Sequence, residues 1–383
     1  MSQRVLIVGA GISGLALAHG LKKAGISIAI FERDEDLDSL SRPLAMRVTE
    51  DSKTALKDIL SPEDYQELIR RSAEIGRASL SEDGGATTMP AIDRGTLRKL
   101  LLTGLENDIW FGKEMEHYTN TEAGVTVHFR DGHSESGSLL VGADGVHSKV
   151  REQYLPDLQL LDTEGRLLWG KSKMTVEARG ALRRDVGAGI PDHVAGGTTT
   201  IIVIPIIFDQ KNAHVPDDYV YWVICTNKSN IGMTDKEFLS LSHDQAATLA
   251  RKLVDGVDCV TPSQRFRLSV VKDLIPELTT KHILYTASPD WYVSAWHSSP
   301  NVTLIGDAIH PLGMGAGGGA AMKDAHELLK LLLRAKPTKE TIEGYERGMI
   351  ERAKPLLRMS TGRGQVLFGQ PPFPVVDPIP GQP

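Results

Sequence analysis

The chain opens on Arg4-Val5-Leu6-Ile7-Val8, which runs directly into Gly9-Ala10-Gly11-Ile12-Ser13-Gly14. The first of these runs is apolar on both faces after its leading arginine, a pattern typical of a central parallel strand. An apolar helical run follows, and Gly25 stands where a glycine commonly ends a helix. Residues 26–31 then have the pattern of a second strand. Together these residues predict a βαβ unit of about thirty residues.

Each glycine of this first segment has a separate task in binding a dinucleotide. Gly9 permits the tight turn, Gly11 lets the backbone approach a pyrophosphate, and Gly14 lets the helix pack against the strand. The pyrophosphate would lie on the helix N-terminus, where free N–H groups and the positive end of the dipole receive it. Glu32 ends the second strand, the position from which an acid hydrogen-bonds ribose hydroxyls. The segment alone does not distinguish FAD from NAD. Its predicted site residues are Gly9, Gly11, Ser13, Gly14, Glu32 and Arg33.

A second glycine-rich segment comes late in the chain, where Gly306-Asp307-Ala308-Ile309-His310-Pro311 follows a strand pattern and precedes a helix. Asp307 at the strand end is placed to hydrogen-bond a ribityl hydroxyl. The amides of residues 317–320 could stabilise negative charge on a reduced flavin. The alternative is a flexible loop with an ordinary helix cap. The His310 side chain is either an acid–base group or a packed polar residue.

A third segment, Gly142-Ala143-Asp144-Gly145, again joins a strand pattern to a helix start. Asp144 and Ser148 are residue types that cap a helix, and Arg151 can reach a phosphate or pair locally. Because capping alone explains the aspartate and the serine, a purely structural role stays open for this segment.

Length and composition indicate a globular protein with two domains. The chain has 383 residues, of which 41% are hydrophobic and 24% charged, with a formal net charge of −6. Neither nucleic acid nor an anionic membrane is an expected partner of such a chain. Cys225 and Cys259 are too few for a disulfide framework and lack metal-ligand spacing, so no metal is predicted. The longest apolar run, 201–208, is too short to span a bilayer, and the first residues lack a signal-peptide pattern. A cytoplasmic location is therefore expected.

The three segments together resemble the FAD-dependent aromatic hydroxylase family. The matching motifs are Gly-x-Gly-x-x-Gly at 9–14, Gly-Ala-Asp-Gly-x-x-Ser-x-x-Arg at 142–151 and Gly-Asp-Ala-x-His-Pro at 306–311. Members are single-component class A flavoprotein monooxygenases, such as p-hydroxybenzoate and salicylate hydroxylases and the tetracycline-modifying monooxygenase. The order of the three motifs, their spacing and the total length of the chain match the family along nearly the whole chain. The resemblance makes FAD the expected cofactor and leaves the substrate open.

The predicted fold class is α/β, with a Rossmann-like FAD-binding domain, a sheet-based substrate domain and C-terminal helices. The FAD-binding domain is discontinuous and comprises residues 1–75, 94–165 and 282–369. The substrate domain comprises residues 76–93 and 166–281, where strand patterns are separated by loops and followed by two polar helices. Residues 370–383 form a proline-rich tail, expected to be extended or disordered.

The resemblance also implies roles for single residues. Glu32 would hold the adenosine ribose of FAD, and one or both of Arg94 and Arg98 should contact the cofactor. Arg47 resembles an arginine on the flavin side. The middle segment is associated in the family with both FAD and NAD(P)H. The residues it would contribute are Asp144, Ser148 and Arg151.

The late segment would lie along the flavin itself. Asp307 would bind the ribityl and pyrophosphate region, Pro311 would lie beside the isoalloxazine, and Gly319 with Ala320 would lie near its pyrimidine edge. Tyr345 and Arg352 resemble a structural helix of the family. Relatives usually have a second proline here and an asparagine where this chain has Ala321, and their loop is about two residues longer. The shorter, glycine-rich loop is expected to be less rigid beside the flavin.

The family mechanism needs little from side chains. NAD(P)H reduces FAD, O2 adds at flavin C4a, and the resulting hydroperoxide oxygenates, most simply hydroxylates, a small aromatic or enolic substrate. The protein supplies a dry pocket and orientation. The resemblance implies that NADPH or NADH binds transiently, without a second Rossmann domain, and the single dinucleotide fingerprint of this chain is consistent with that. The chain is expected to be a monomer or a homodimer. Two alternatives remain: a flavin oxidoreductase that does not oxygenate, and a flavin-binding protein without turnover.

Substrate-pocket residues are expected from the sheet of the second domain. Tyr221 and Trp222 are adjacent on one predicted strand, so only one of them can face the flavin. Arg183 or Arg184 could recognise a phenolate or carboxylate, or lie on the surface. No residue is identified as a catalytic base, and the candidates for a catalytic role are His310, Tyr221 and Trp222.

Overall fold

The computed structural model describes ten segments of the chain and a few residues between 264 and 276. The segments are 4–36, 45–75, 90–121, 124–158, 160–183, 192–211, 215–258, 279–287, 298–313 and 317–372. Within them the chain forms three β-sheets and a set of helices, an α/β architecture as predicted. No helix of these segments is both long and apolar enough to cross a membrane.

The first sheet is parallel and contains the predicted βαβ unit. Strand β1 (Arg4–Val8), helix α1 (Ile12–Lys23) and strand β2 (Ser27–Phe31) follow one another, and Gly25 has a φ of +74° just past the helix. The strand order is β16-β10-β1-β2-β6, and Val5 to Val8 are almost fully buried because helices or strands cover both faces. The remaining strands are β6 (Ile109–Trp110), β10 (Leu139–Gly142) and β16 (Val302–Leu304).

A small antiparallel sheet contains a hairpin that turns around residue 131. Its strands are β7 (Met115–Thr121), β8 (Gly124–Phe129) and β9 (Ser134–Gly137), in the order β7-β8-β9. Phe129 packs against Phe31 of the parallel sheet, with 4.6 Å between ring centroids and the rings tilted by 43°. This contact ties the hairpin to the first domain.

The third sheet has eight strands, and seven of them run in the order β15-β11-β14-β13-β4-β5-β3, with β12 paired to β13. Residues 45–47 and 73–75, which the sequence assigns to the FAD-binding domain, pair in this sheet. The strands are β3 (Ala45–Arg47), β4 (Ala73–Ile75), β5 (Pro90–Asp93), β11 (Leu161–Lys173), β12 (Asp192–Gly196), β13 (Thr199–Ile207), β14 (Tyr219–Asn227) and β15 (Thr280–Thr286).

Many of the helices begin at a side-chain cap, as α2 does at Thr49 and α4 at Asp93. The polar stretch over residues 50–71 forms two helices, because Ser61 caps a new helix and Pro62 occupies its first turn. The helices after α1 are α2 (Glu50–Ile59), α3 (Pro62–Arg70), α4 (Arg94–Leu102), α5 (Lys149–Tyr154), α6 (Val176–Arg183), α7 (Asp235–Ser240), α8 (His243–Asp255), α9 (Gly317–Arg334) and α10 (Lys339–Phe368).

The last helix extends ten residues beyond the predicted end near Arg358 and stops at Gly369, whose φ of +68° makes it a left-handed cap. Gln370, the first residue of the predicted tail, is buried. Residues 373–383 lie outside the described part of the chain. The packed chain therefore continues slightly past the predicted boundary.

Adjacent residues of β14 face opposite sides of the eight-stranded sheet. Trp222 is fully buried in a cluster with Phe238 of α7 and Ala250 of α8, and its indole N–H donates to Ser172 Oγ at 3.1 Å. Tyr221 packs on the other face, in a cluster that includes Phe368 of α10. The predicted alternation is confirmed. Trp222 faces the helices and belongs to a core.

Substitution Trp222→Leu should therefore lower stability and spare cofactor binding. The lost contacts and the lost hydrogen bond should reduce the free energy of unfolding by about 2–4 kcal/mol. Urea unfolding and titration of the apoprotein with FAD measure the two quantities separately. Weakened FAD binding at unchanged stability would contradict the placement of Trp222 in the core.

Candidate functional site

The three glycine segments meet at the carboxyl ends of the parallel strands. A Cβ built on Gly9 would lie 2.3 Å from the carbonyl oxygen of Ala143, and Gly9 has a φ of +106°. A Cβ on Gly14 would lie 2.1 Å from Gly9 O. On the other side, a Cβ on Gly306 would lie 3.1 Å from Ser13 Oγ. Only glycine allows backbones to approach this closely, so the segments form one site.

The start of α1 is open toward a ligand. Gly11 is the residue before the helix, no side chain caps it, and the first turn contains no acidic residue. A Cβ on Gly11 would meet nothing closer than 3.9 Å, in contrast to its neighbours Gly9 and Gly14. The N–H groups of the first turn are therefore available to an anion, which the helix dipole would also attract.

Two charged side chains brace the first glycine loop. The Glu32 carboxylate is buried and accepts hydrogen bonds from the backbone N–H of Ala10 at 2.8 Å and of Asp34 at 3.1 Å. The buried Arg98 guanidinium donates to Ala10 O at 2.5 Å. Glu32 and Arg98 thus contact Ala10 in the loop between β1 and α1. Their contacts with FAD stay predictions. Arg33 is largely exposed and lies 3.9 Å from Asp34.

The side chains of the middle segment mainly cap α5 and contact the late segment. Asp144 accepts from the N–H groups of Lys149 and Val150, and Ser148 accepts from Arg151 N, so both cap α5. Burial raises the pKa of Asp144, against the effect of these hydrogen bonds. Its second oxygen, Oδ1, is buried and accepts no hydrogen bond from the described residues.

Arg151 joins the middle segment to the late one. Its guanidinium is buried and donates to the Ala308 carbonyl oxygen at 2.9 Å. Ala308 directly follows Asp307, so the arginine supports the backbone that carries the predicted ribityl ligand. The predicted contact of Arg151 with a phosphate stays a prediction.

Asp307 lies where the late segment meets α9. A Cβ built on Gly317, the first residue of α9, would lie 3.4 Å from Asp307 Oδ1. Burial raises the pKa of Asp307, while the positive charges of Arg94 and His310 oppose that effect. Arg94, at the start of α4, is therefore within electrostatic reach of the site. Gly319 and Ala320 lie half-buried in the first turn of α9, and Pro311 is buried.

Asp324 of α9 is the centre of a buried network. One oxygen, Oδ2, accepts from Gly306 N at 3.1 Å and lies 2.5 Å from His310 Nε2. The other, Oδ1, accepts from Arg352 Nη2 of α10 at 3.2 Å. Burial by itself would lower the pKa of His310, but the charge and hydrogen bond of Asp324 outweigh it, and the pKa is raised. His310 is 2% exposed, so in this structure it braces the loop from inside.

Sequence reasoning missed Asp324, although a signal was present. Asp324 lies among Ala321, Met322 and Ala325 on the buried side of α9, and a buried aspartate in an apolar stripe needs partners. Tyr345 was expected to be structural, and its hydroxyl indeed lies within hydrogen-bond distance of the backbone oxygens of Leu304 and Asp324.

Some predicted residues are not tested by this geometry. The backbone of Arg47 is part of β3, but its side chain lies outside the described part of the chain. The same holds for the side chains of Arg183 and Arg184. Cys225 is buried and forms no disulfide, and Cys259 is not described.

The residues present fit FAD. A pyrophosphate needs a close backbone approach and free N–H groups, which Gly11 and the start of α1 provide. Ribose and ribityl hydroxyls need acceptors, which Glu32, Asp144 and Asp307 offer. The start of α9 is packed tightly, since a Cβ on Gly318 would lie 2.4 Å from Met46 Sδ.

Comparisons with known proteins agree with this fit. Residues 2–179 match the family model of a FAD binding domain. The chain is 33% identical to a dual O-methyltransferase/FAD-dependent monooxygenase of Cercospora beticola, in an alignment that covers 96% of this chain and 47% of that protein. It therefore spans about half the length of such relatives. It is 28% identical to a FAD-dependent monooxygenase of Trichoderma harzianum, with 93% of this chain and 91% of that protein covered.

A solved structure shares the whole fold. A protein from Photorhabdus luminescens, assigned as a FAD-containing monooxygenase, superposes with a TM-score of 0.78 at 27% sequence identity. The match covers 96% of this chain and 99% of that one. The fold likeness therefore extends through the eight-stranded sheet and the C-terminal helices as well as the parallel sheet.

A matched pair of glycine variants tests the close approach of the segments. Gly9→Ala should lower the free energy of unfolding by about 2–4 kcal/mol and abolish FAD retention, because its Cβ would overlap the Ala143 carbonyl. Gly25→Ala also places alanine at a positive φ but meets nothing within 4 Å. It should cost only about 1–2 kcal/mol and keep FAD. Urea unfolding and flavin absorbance give both readouts. Equal effects of the two variants would contradict the argument.

The pH dependence of stability tests the pair of His310 and Asp324. Because the pKa of His310 is raised in the folded protein, its stabilisation is complete below the ordinary value of 6.5 and is lost as pH rises through the raised value. The stability advantage of wild type over His310→Asn should therefore shrink from pH 6 to pH 9, by about 1.4 kcal/mol per unit of pKa elevation. Thermal or urea unfolding across this range measures it. A constant difference would show that the pair contributes no charge interaction.

Proposed function

We propose that this chain, which is similar in sequence and fold to FAD-dependent monooxygenases, carries out a reaction of the class A aromatic hydroxylase type. It uses FAD to transfer one oxygen atom of O2 to a small aromatic or enolic compound, with NADPH or NADH as the reductant. The observation that carries the proposal is the convergence of Gly9, Ala143 and Gly306 on one open helix start. Close relatives in sequence are FAD-dependent monooxygenases over the same length.

When bound, FAD accepts hydride from the reduced nicotinamide and activates O2. In this proposal the start of α1 would receive the pyrophosphate, Glu32 would accept from the adenosine ribose, and Asp307 would accept from the ribityl chain. The N–H groups in the first turn of α9 would stabilise negative charge on the reduced flavin. Asp324 keeps the backbone of Asp307 in place through Gly306.

The eight-stranded sheet provides the substrate side. The face that bears Trp169, Tyr221 and Ile204 is apolar and largely buried. Such a surface orients an aromatic ring and excludes water. The exclusion of water limits side reactions of the activated oxygen before it reaches the substrate. The side chains needed are few, which agrees with the absence of an obvious catalytic base from the sequence.

Hydroxylation is the form of oxygen transfer that the relatives support. Three relatives combine a FAD-dependent monooxygenase with an O-methyltransferase in one protein. Methyl transfer to oxygen requires a hydroxyl group, and a hydroxylase produces one. An oxidoreductase that does not oxygenate is the second candidate. It is favoured by the shorter loop after Pro311 and by Ala321 in place of the usual asparagine, since both alter the surroundings of the flavin.

A substrate screen under labelled oxygen tests the proposal. Purified holoenzyme is mixed with NADPH or NADH and a panel of phenols and enols, and the substrates that accelerate cofactor oxidation are analysed under 18O2. We expect one 18O atom per product molecule, because the inserted oxygen comes from O2. Acceleration without label in any product would favour the non-oxygenating oxidoreductase, and turnover without O2 would establish it.

A further inference from the structure

The apolar face of the eight-stranded sheet contains two polar groups close together. Along this face the cluster is formed by strand residues with aliphatic or aromatic side chains, among them Trp169, Tyr221, Val223 and Ile206. Tyr219 lies in the same cluster and carries a hydroxyl, and Lys171 brings an ammonium group to it. Polar groups in an apolar wall usually have a partner.

The Tyr219 hydroxyl has no such partner among the residues that the structure describes. Tyr219 is the first residue of β14, its side chain is 2% exposed, and its oxygen forms no hydrogen bond with any described residue. The ring itself is held by packing against Phe208, with 6.0 Å between centroids. A buried hydroxyl that donates to nothing is unfavourable, and a ligand oxygen would remove that cost.

Lys171 adds a positive charge at the same place. Its Nζ lies 4.1 Å from the centre of the Tyr219 ring, a cation–π contact. Lys171 lies on β11 opposite Tyr221, so its stem crosses the apolar face. Among the described carboxylates, none lies within ion-pair distance of Lys171. The ammonium is thus oriented by an aromatic ring, and its charge is not neutralised by a described side chain.

Strand pairing places Tyr219 on the part of the sheet that leads to α4. Tyr219 pairs with Ile206 of β13, Ile206 pairs with Ile75 of β4, and β4 pairs with β5, which ends at Asp93. The charge of Asp93 reaches Tyr219: burial raises the pKa of the Tyr219 hydroxyl first, and Asp93 raises it further. Asp93 is the cap of α4, and the next residue, Arg94, acts electrostatically on Asp307. The raised pKa keeps the Tyr219 hydroxyl protonated, so it can donate a hydrogen bond to a ligand oxygen.

We propose that Tyr219 and Lys171 bind an oxygen of the substrate, and that this oxygen belongs to an ionised phenol or enol. The hydroxyl donates a hydrogen bond to the oxyanion, and the ammonium balances its charge in the dry wall. The ionised form is also the electron-rich form that an electrophilic oxygen donor attacks. The inference rests on the proposed function for the identity of the reaction, but binding can be measured without turnover.

Two variants and a control test the proposal on the FAD-loaded enzyme. The ligands are resorcinol and catechol, each compared with its dimethyl ether, and binding is followed by the change in flavin absorbance. Wild type should prefer each hydroxylated ligand to its ether by about tenfold or more, the effect of a hydrogen bond to a charged group. Tyr219→Phe should lose this preference, Lys171→Met should reduce it, and Lys171→Arg should keep most of it. Tyr118→Phe removes another buried tyrosine hydroxyl, on the three-stranded sheet, and should change nothing.

The outcomes separate this inference from the proposed reaction. A preference that survives in Tyr219→Phe, or that is missing in wild type, would overturn the inference even if 18O enters some other substrate. A preference that depends on Tyr219 supports the inference even if no 18O is incorporated, and then the proposed oxygenation is what fails. Unfolding midpoints of the variants, together with their FAD content, show that a lost preference does not come from a lost fold.

Discussion

The whole structure depends on one close backbone contact, the approach of the Gly9 loop to Ala143. This contact sets the distance between α1 and the strands β1 and β10, because Gly14 must in turn pass against Gly9. Any side chain at these positions would separate the helix from the sheet. The open start of α1 is a direct consequence, since a helix held this near the strand ends directs its free N–H groups into the cleft above them.

A second constraint holds the other half of the cleft. Asp324 brings Gly306, His310 and Arg352 together, so a carboxylate from α9 connects the late glycine segment with α10. Isolated charges are costly inside a protein, and this one is tolerated because three donors surround it. The same helix begins beside Asp307, so the network that stabilises the C-terminal helices also determines where the flavin-side groups lie. Stability and cofactor binding are therefore linked through one side chain.

The eight-stranded sheet divides its two faces between different tasks. One face packs against α7 and α8 and contains Trp222, which makes it a core. The opposite face is apolar but also contains Tyr219 and Lys171. Among the described residues, the Tyr219 hydroxyl has no hydrogen-bond partner. Since strand residues alternate between faces, a change of register by one residue would exchange these roles. The sheet thereby gives the FAD-binding part a wall of defined chemistry.

The sequence by itself determined the βαβ unit, the three glycine segments and the alternation along β14, because each depends on residues a few positions apart. Spacing of glycines, a capping residue or a period of two is a local property of the chain. Only the tertiary structure decided that Trp222 packs against α7 and α8 while Tyr221 lies on the other face of the sheet. It also decided that residues 45–47 and 73–75 join the eight-stranded sheet and that Asp324 supports the late segment. These depend on partners far apart in the chain. The burial of side chains, the pairing of charges and the environment of the Tyr219 hydroxyl all depend on contacts between residues that are distant in the sequence.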